Sequence, residues 1–263
     1  MTDILKKICA QRKQDVDVAK QVAPVSALFE IIKSSPMPRG FAANIKSKTS
    51  RKETALIAEV KRASPSQGDI RANFDPTECA RSYESAGATC LSVLTEPHWF
   101  KGEDPFIKTI KEDVKLPILR KDFMVDPYQI IESRALGADC VLIIMAAVED
   151  DLAKDMIQTA SDLGMNSLIE IHDQDELNRA LNLPIDLLGI NNRNLKTMDI
   201  DIQTSIHLSK GLTEEYTIVC ESGIKTHADI TLMQDNGIYS FLVGTSLMRQ
   251  PDLTKATHQL LGK

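Results

Sequence analysis

No run of apolar residues in this chain approaches the roughly 20 that a membrane-spanning helix needs, so no span is expected. The first twenty residues mix Lys, Asp, Gln and Arg without an apolar segment, and no secretory signal peptide is expected. Positive charge is in short supply: 31 Lys and Arg stand against 37 Asp and Glu, a net charge of −6. A general nucleic-acid binder needs clustered cations to neutralise phosphates, so that class is excluded. An anionic ligand would have to be held by local positive charge. The five cysteines, Cys9, Cys79, Cys90, Cys140 and Cys220, form no Cys-x-x-Cys pair. Cys90, Cys140 and Cys220 fall inside apolar strand patterns, where a reduced thiol acts as a small hydrophobe. A reducing compartment, the cytoplasm, is expected. The histidines (His98, His172, His207, His227 and His258) lack metal-ligand spacing and are read as surface or satisfied polar residues; no metal is expected.

What is present suits one large domain. A chain of 263 residues, 43% hydrophobic and 26% charged, could hold two domains. One barrel of about 250 residues fits equally well. Ile4, Leu5 and Ile8 fall on a helical period within residues 2–20, with Thr2 or Asp3 as cap. A second apolar segment, Leu28 to Ile32, is ended by the Ser, Pro and Gly of residues 34–40. The basic connector that follows (Lys46, Lys48, Arg51, Lys52) reads as a solvated linker, with a lid over an anionic site as the alternative. Residues 1–50 are thus a helical extension of a domain spanning 1–263.

From residue 54 short apolar strands recur, at 55–60, 89–94, 117–121, 139–145, 167–171, 186–190, 216–220 and 239–243. Their Val, Ile and Leu content is nearly continuous, as in parallel strands buried on both faces. Asp75-Pro76 and Asp126-Pro127 open helices that run to Gly87 and Gly137, with Pro suited to the first helical position and Gly to the residue past the end. Eight such units most economically close into a (β/α)8 TIM barrel. An open doubly wound sheet is the runner-up, but no Gly-x-Gly-x-x-Gly follows any strand.

Active sites of such barrels lie at the C-terminal ends of the strands. Strand 1 ends with Glu59 and Lys61, and side-chain alternation sends both to one face. Leu119, Lys121 and Phe123 share a face on strand 3, as do Asn191, Arg193 and Leu195 on strand 6. If these faces point inward, Lys61, Lys121 and Arg193 meet Glu59, Glu170 and Glu221. Three cations against three carboxylates should interlock, because an unpaired buried charge costs several kcal/mol. Rim salt bridges on an inert barrel are the bland alternative. Ser222-Gly223 after strand 7 and Gly244-Thr245 after strand 8 place small residues at this fold's usual phosphate-binding loops. Either pair alone could be a helix cap. Trp99 and Phe100, after strand 2, suit either a lid over a ring or a loop packed on the barrel rim.

Four stretches then carry a family resemblance over essentially the whole chain: Ala58-Glu59-Val60-Lys61-Arg62-Ala63-Ser64-Pro65-Ser66, Leu119-Arg120-Lys121-Asp122-Phe123, Ile190-Asn191-Asn192-Arg193-Asn194-Leu195 and Glu221-Ser222-Gly223-Ile224. In these motifs and their order the chain resembles indole-3-glycerol phosphate synthase, a lyase of tryptophan biosynthesis. Gln67, Asn194 and Glu103 depart from the family's usual Lys, Asp and Ser. The resemblance implies ring closure, decarboxylation and dehydration of 1-(2-carboxyphenylamino)-1-deoxyribulose 5-phosphate, without cofactor or metal. It implies Lys121 as general acid, Glu170 as base, and Glu59 as the carboxylate that steers or relays the proton. Lys61 would anchor the substrate or act as a second acid. Asn191, Arg193 and Glu221 would position the substrate, Phe123 and Leu195 would pack on its ring, and Ser64, Ser222, Gly223, Gly244 and Thr245 would contact its phosphate.

Three other readings compete. A phosphoribosylanthranilate isomerase-like barrel would want Cys and Asp where Glu59 and Asn191 stand. A Schiff-base aldolase would need a depressed pKa on Lys121. A non-catalytic phosphate-binding barrel would bind without turnover. The expected partner is a small-molecule substrate, not nucleic acid or membrane, and the expected state is a monomer, or at most a weak dimer.

Overall fold

The computed structural model describes residues 3–65, 68–71, 73–212 and 215–263, and of Asp3 the backbone alone. Thr2 and the Asp3 side chain, read as caps, and Ser66 and Gln67, named in the family resemblance, lie outside the described residues. Eight parallel strands close into a barrel: β1 (Ala55–Val60), β2 (Cys90–Leu94), β3 (Ile118–Lys121), β4 (Cys140–Ile144), β5 (Asn166–Ile171), β6 (Leu187–Asn191), β7 (Thr217–Glu221) and β8 (Ser240–Val243). Each pairs with its sequence neighbour, and β1 pairs with β8 through Ala55↔Ser240 to Ala58↔Val243. All eight strands lie where the apolar runs predicted them, to within about two residues at either end. Residues 63–64 and 68–69 add a short antiparallel pairing after β1 that the sequence did not suggest.

Alternation divides each strand between two cores. Leu56, Val93, Ile143, Ile169, Ile190 and Phe241 face outward, under the helices. Ile57, Cys90, Leu119, Cys140, Leu168 and Val219 face the barrel interior. The same parity carries Glu59, Lys121, Glu170 and Glu221 inward at the upper end. All five cysteines are buried and free.

The helices after the strands are α4 (Pro76–Ser85), α5 (Pro105–Asp113), α6 (Pro127–Leu136), α7 (Asp150–Asp162), α8 (Gln174–Ala180), α9 (Gln203–Ser209), α10 (His227–Gln234), α11 (Thr245–Met248) and α12 (Leu253–Leu260). The Asp-Pro junctions behave as read. Asp75 accepts hydrogen bonds from the backbone N–H groups of Thr77 and Glu78, and Asp126 from that of Tyr128. Gly137 closes α6 at φ +96°, a conformation that costs glycine little.

The N-terminal extension comprises α1 (Asp3–Val22), α2 (Val25–Ser34) and α3 (Phe41–Thr49). It wraps the barrel from top to bottom. Leu5 and Cys9 of α1 pack with Val125 and Phe123 near the strand ends. Lower down, Val16 and Leu28 pack on Tyr128, whose hydroxyl donates to the Ala19 and Ala23 carbonyls at 3.1 and 2.8 Å. Arg39 then passes under the barrel, its guanidinium donating to the carbonyls of Lys111, Val114 and Leu116. The basic connector is neither a solvated linker nor a lid. Lys46 and Lys48 ride the outer face of α3, while Phe41, Ala42 and Ile45 plug the barrel floor against Ala55, Ile57 and Leu168. Phe41 is fully buried. Its replacement by alanine is expected to cost about 3–5 kcal/mol of folding stability, measurable by urea unfolding. A loss within about 0.5 kcal/mol would mean that α3 does not close the core.

Candidate active site

The upper end of the barrel opens into a cavity of about 660 Å³ lined by residues from the strand ends, their loops and α1. Charge concentrates at its base. Lys121 Nζ donates to Glu221 Oε2 at 2.6 Å and approaches Glu170 Oε2 at 3.4 Å. Lys61, one residue past β1, pairs with Glu59. All five side chains are largely buried.

Two glycines make room for these carboxylates. A Cβ on Gly189, in β6, would overlap Glu221 Oε1, and one on Gly244, after β8, would overlap Glu59 Oε1. Gly189→Ala is therefore expected to push Glu221 off Lys121. A misplacement near 1 Å within a catalytic site can cost about 10²-fold in rate. An assay of product formation checks this, and parental kcat would show that the Glu221–Lys121 contact does not matter to turnover.

Burial alone would lower the Lys121 pKa, but Glu221, Glu170 and Glu59 outweigh it and the value is raised. The side chain is an ammonium across the physiological range. Burial pushes Glu221 up, and the neighbouring Glu170 adds to this against the pull of Lys121, so its carboxyl is held above the usual range. Glu170 moves the other way: burial raises it, but Lys121 and His172 together bring it below the usual range. Two carboxylates around one ammonium have been driven apart, one held ionised, the other inclined to keep a proton. Glu221 Oε1, although buried, has no hydrogen-bond partner among the described residues.

Arg193 does not join this network. β6 ends at Asn191, so strand alternation stops applying there, and Arg193 sends its guanidinium to the Met198 carbonyl of its own loop at 3.3 Å. Arg193 still lines the cavity, as do Asn191, Leu195, Phe123 and Ser64. Asn191 Oδ1 accepts from the Arg193 backbone N–H, fixing the turn between them. Glu59 finds its partner in Lys61, and Lys121 belongs to the other two carboxylates. The expected three-against-three interlock is thus two clusters, with the third cation set apart.

Ser222 and Gly223 adopt left-handed backbone conformations, φ +62° and +93°. Gly223 has no alternative residue, since a Cβ would strike Ile202. Gly244 and Thr245 stand beside them, and the Ser246 hydroxyl ties the two loops through the Ile224 carbonyl at 3.0 Å. Lys225 and Arg249 line the same end of the cavity. Neither cation was singled out in the sequence, because both lie beyond the strand ends in exposed positions.

Two apolar walls complete the cavity. Phe100 and Phe123 face each other with ring centroids 6.0 Å apart. Of the Trp99–Phe100 pair, Phe100 lines the cavity, while Trp99 packs edge-on against His98. The loop is held from below by the buried Glu96, which accepts from the backbone N–H groups of His98, Trp99 and Phe100 at 2.9, 2.7 and 3.0 Å. Ile4, Leu5 and Ile8 of α1 form the other wall. Helical periodicity revealed their spacing but not where the helix docks. That docking is set by Asp122, which accepts from Arg12 at 2.9 Å and from the Thr95 hydroxyl at 2.8 Å. Behind it the fully buried Arg120 donates to Glu132 and Asp104. Asp122 thereby fixes the backbone between Lys121 and Phe123.

The strand ends of this (β/α)8 barrel gather buried lysines and carboxylates under an apolar-walled cavity, an arrangement of the enzyme-bearing barrel class suited to acid–base chemistry. The model of the family "Indole-3-glycerol phosphate synthase" matches residues 5–260. The chain is 47% identical to the indole-3-glycerol phosphate synthase of Azospirillum brasilense over 261 residues, 99% of this chain and 100% of that one. It is 44% identical to that of Zymomonas mobilis subsp. pomaceae over 262 residues, 100% of this chain and 99% of the other. Among solved structures, an N-acetylmannosamine-6-phosphate 2-epimerase from Clostridium perfringens shares the fold alone, at 18% identity and a TM-score of 0.59, with 79% of this chain and 93% of that one covered. The chain belongs to the indole-3-glycerol phosphate synthase family.

Proposed function

We propose that this chain converts 1-(2-carboxyphenylamino)-1-deoxyribulose 5-phosphate to indole-3-glycerol phosphate, carbon dioxide and water, with the side chains of the cavity floor as acid and base. The observation that carries this reading is Lys121, whose ammonium sits on the cavity floor 2.6 Å from Glu221 and 3.4 Å from Glu170. The ring carbon that bears the carboxylate attacks the ketone carbon. The carbonyl electron pair moves to oxygen, and Lys121 donates a proton to it. Loss of carbon dioxide returns its bonding pair to the ring. Hydroxide then leaves from the former ketone carbon while Glu170 removes a proton from the adjacent methylene, leaving the indole double bond.

The remaining residues suit binding. Phe123, Phe100 and Leu195 offer apolar surface to the ring. Glu59 pairs with Lys61, which serves as the anchor for the substrate carboxylate or as a second acid. Asn191, Arg193 and Glu221 position the substrate chain, Glu221 Oε1 being free to accept from a hydroxyl. Ser64, Ser222, Gly223, Gly244 and Thr245 surround the phosphate. Lys225 and Arg249 supply the charge that Gln67 does not. A Schiff base at Lys121 is disfavoured, since imine formation needs a depressed pKa and the opposite holds. We also propose a cytoplasmic monomer; the five buried, free thiols suit a reducing compartment. Among the described residues, no helix is long and apolar enough to cross a membrane.

The test is direct: purified chain incubated with the carboxyphenylamino substrate should generate indole fluorescence. Binding of the substrate without fluorescence would leave only a binding barrel.

A further inference from the structure

Glu170 contacts a second cation, one that the proposed chemistry does not use. His172 follows β5, two residues past Glu170, and its ring is almost fully enclosed. Nδ1 lies 2.9 Å from Glu176 Oε2 in α8, and Nε2 lies 3.2 Å from Glu170 Oε1. The same Glu176 oxygen accepts from the His172 backbone N–H at 2.8 Å, so ring and backbone are pinned by one carboxylate. Among the described residues Nε2 has no well-aligned hydrogen-bond partner, so its 3.2 Å contact with Glu170 is one of charge rather than direction. The two oxygens of Glu170 are thus divided: Oε1 faces the imidazole, and Oε2 faces Lys121 and the cavity.

We propose that His172, fixed by Glu176, is the positioning residue of the Glu170 base: it holds Oε1 so that Oε2 is presented to the substrate as a charged acceptor. The inference rests on the reading of Glu170 as the base. The groups around the ring agree with it. Glu170 on β5 and Glu176 on α8 face it directly, and beyond Glu170 stand Lys121 on β3, Asn191 on β6 and Glu221 on β7. Burial would lower the His172 pKa, but the two facing glutamates raise it to about 10, so the ring is cationic at neutral pH. A carboxylate between Lys121 and an imidazolium stays ionised even with Glu221 nearby. With Lys121 alone, Glu170 and Glu221 would compete for one cation, and whichever lost would take up a proton.

The imidazolium also enters folding. Its folded pKa lies above the ordinary value of about 6.5, so its contribution to stability is full below that pH and is lost as pH rises towards about 10.

The experiment compares His172→Asn, Glu176→Gln and Glu170→Gln with the parent chain, each checked for fold by circular dichroism. For His172→Asn, kcat is expected to fall on the order of 10- to 100-fold, part of the 10²–10⁴ that a general base supplies. KM and the affinity for indole-3-glycerol phosphate should stay within about twofold, because no substrate contact is removed. The acidic limb of the kcat/KM profile should move to higher pH, since Glu170 loses a cation that favours its charged form. Glu176→Gln, which keeps the ring, should shift both readouts the same way but less. Adding His172→Asn to Glu170→Gln should slow the enzyme no further. If Glu170→Gln is slow while His172→Asn keeps the parental kcat and acidic limb, the positioning role is wrong. A rise in KM with kcat unchanged would also overturn it. If Glu170→Gln itself runs at the parental rate, it is the assignment of the base that fails.

Discussion

Replacing Lys121 by alanine is expected to lower kcat by about 10³-fold or more, the worth of a positioned general acid combined with charge stabilisation at the ketone oxygen. The fold should survive. Removing the ammonium leaves Glu170 and Glu221 adjacent and without their common cation, but one of them can take up a proton and the pair remains neutral enough to stay buried. Lys121→Arg separates the two parts of this argument. A guanidinium restores the positive charge between the carboxylates, yet it does not give up a proton in the accessible pH range. Stability should therefore return towards the parental value while kcat stays low. If Lys121→Arg recovers most of the activity, charge alone suffices and proton donation is not the role of this residue. Parental rates in folded Lys121→Ala would remove Lys121 from the chemistry altogether.

The second large effect concerns Glu170. Glu170→Gln keeps the shape of the side chain and removes its capacity to accept a proton. Turnover to indole is expected to fall by about 10²–10⁴-fold, the range for a general base. Lys121 retains its 2.6 Å contact with Glu221 in this variant, so the ammonium stays in place. In the proposed mechanism, ring closure and loss of carbon dioxide depend on that ammonium, whereas the indole double bond depends on Glu170. The two variants should thus stop the sequence at different points, and steady-state assays with both products followed would reveal it.

Much of this was legible in the chain before its fold was known, for identifiable reasons. The barrel strands are apolar on both faces, so Leu56 to Ala58 or Val141 to Ile144 stand out as short runs of uniform character. Asp75-Pro76 and Asp126-Pro127 punctuate the helices that follow. Strand alternation then places Glu59, Lys121, Glu170 and Glu221 on inward faces, because each is two residues past a core position: Ile57, Leu119, Leu168 and Val219.

The failures occur where that periodicity ends. Arg193 lies two residues beyond β6, in a loop whose own hydrogen bonds decide where its side chain goes. The apolar face of α3 is only Phe41, Ala42 and Ile45, and four basic residues in the following stretch concealed it. The roof formed by Ile4, Leu5 and Ile8 depends on the Arg12–Asp122 contact, between residues 110 apart. His172 was read as a surface or satisfied polar residue; its side chain is largely buried, with Nδ1 held by Glu176 and Nε2 facing Glu170. Its meaning comes from which carboxylate it satisfies, and that required the position of α8 over the end of β5.

The most direct test of the division of labour between Lys121 and Glu170 is a single-turnover measurement of carbon dioxide and indole together, with parent, Lys121→Ala and Glu170→Gln in excess over the substrate. The parent should release one carbon dioxide per indole formed. Lys121→Ala should release neither, and Glu170→Gln should release carbon dioxide without indole in its first turnover. Carbon dioxide and indole lost together in Glu170→Gln, or both still formed by folded Lys121→Ala, would contradict the account.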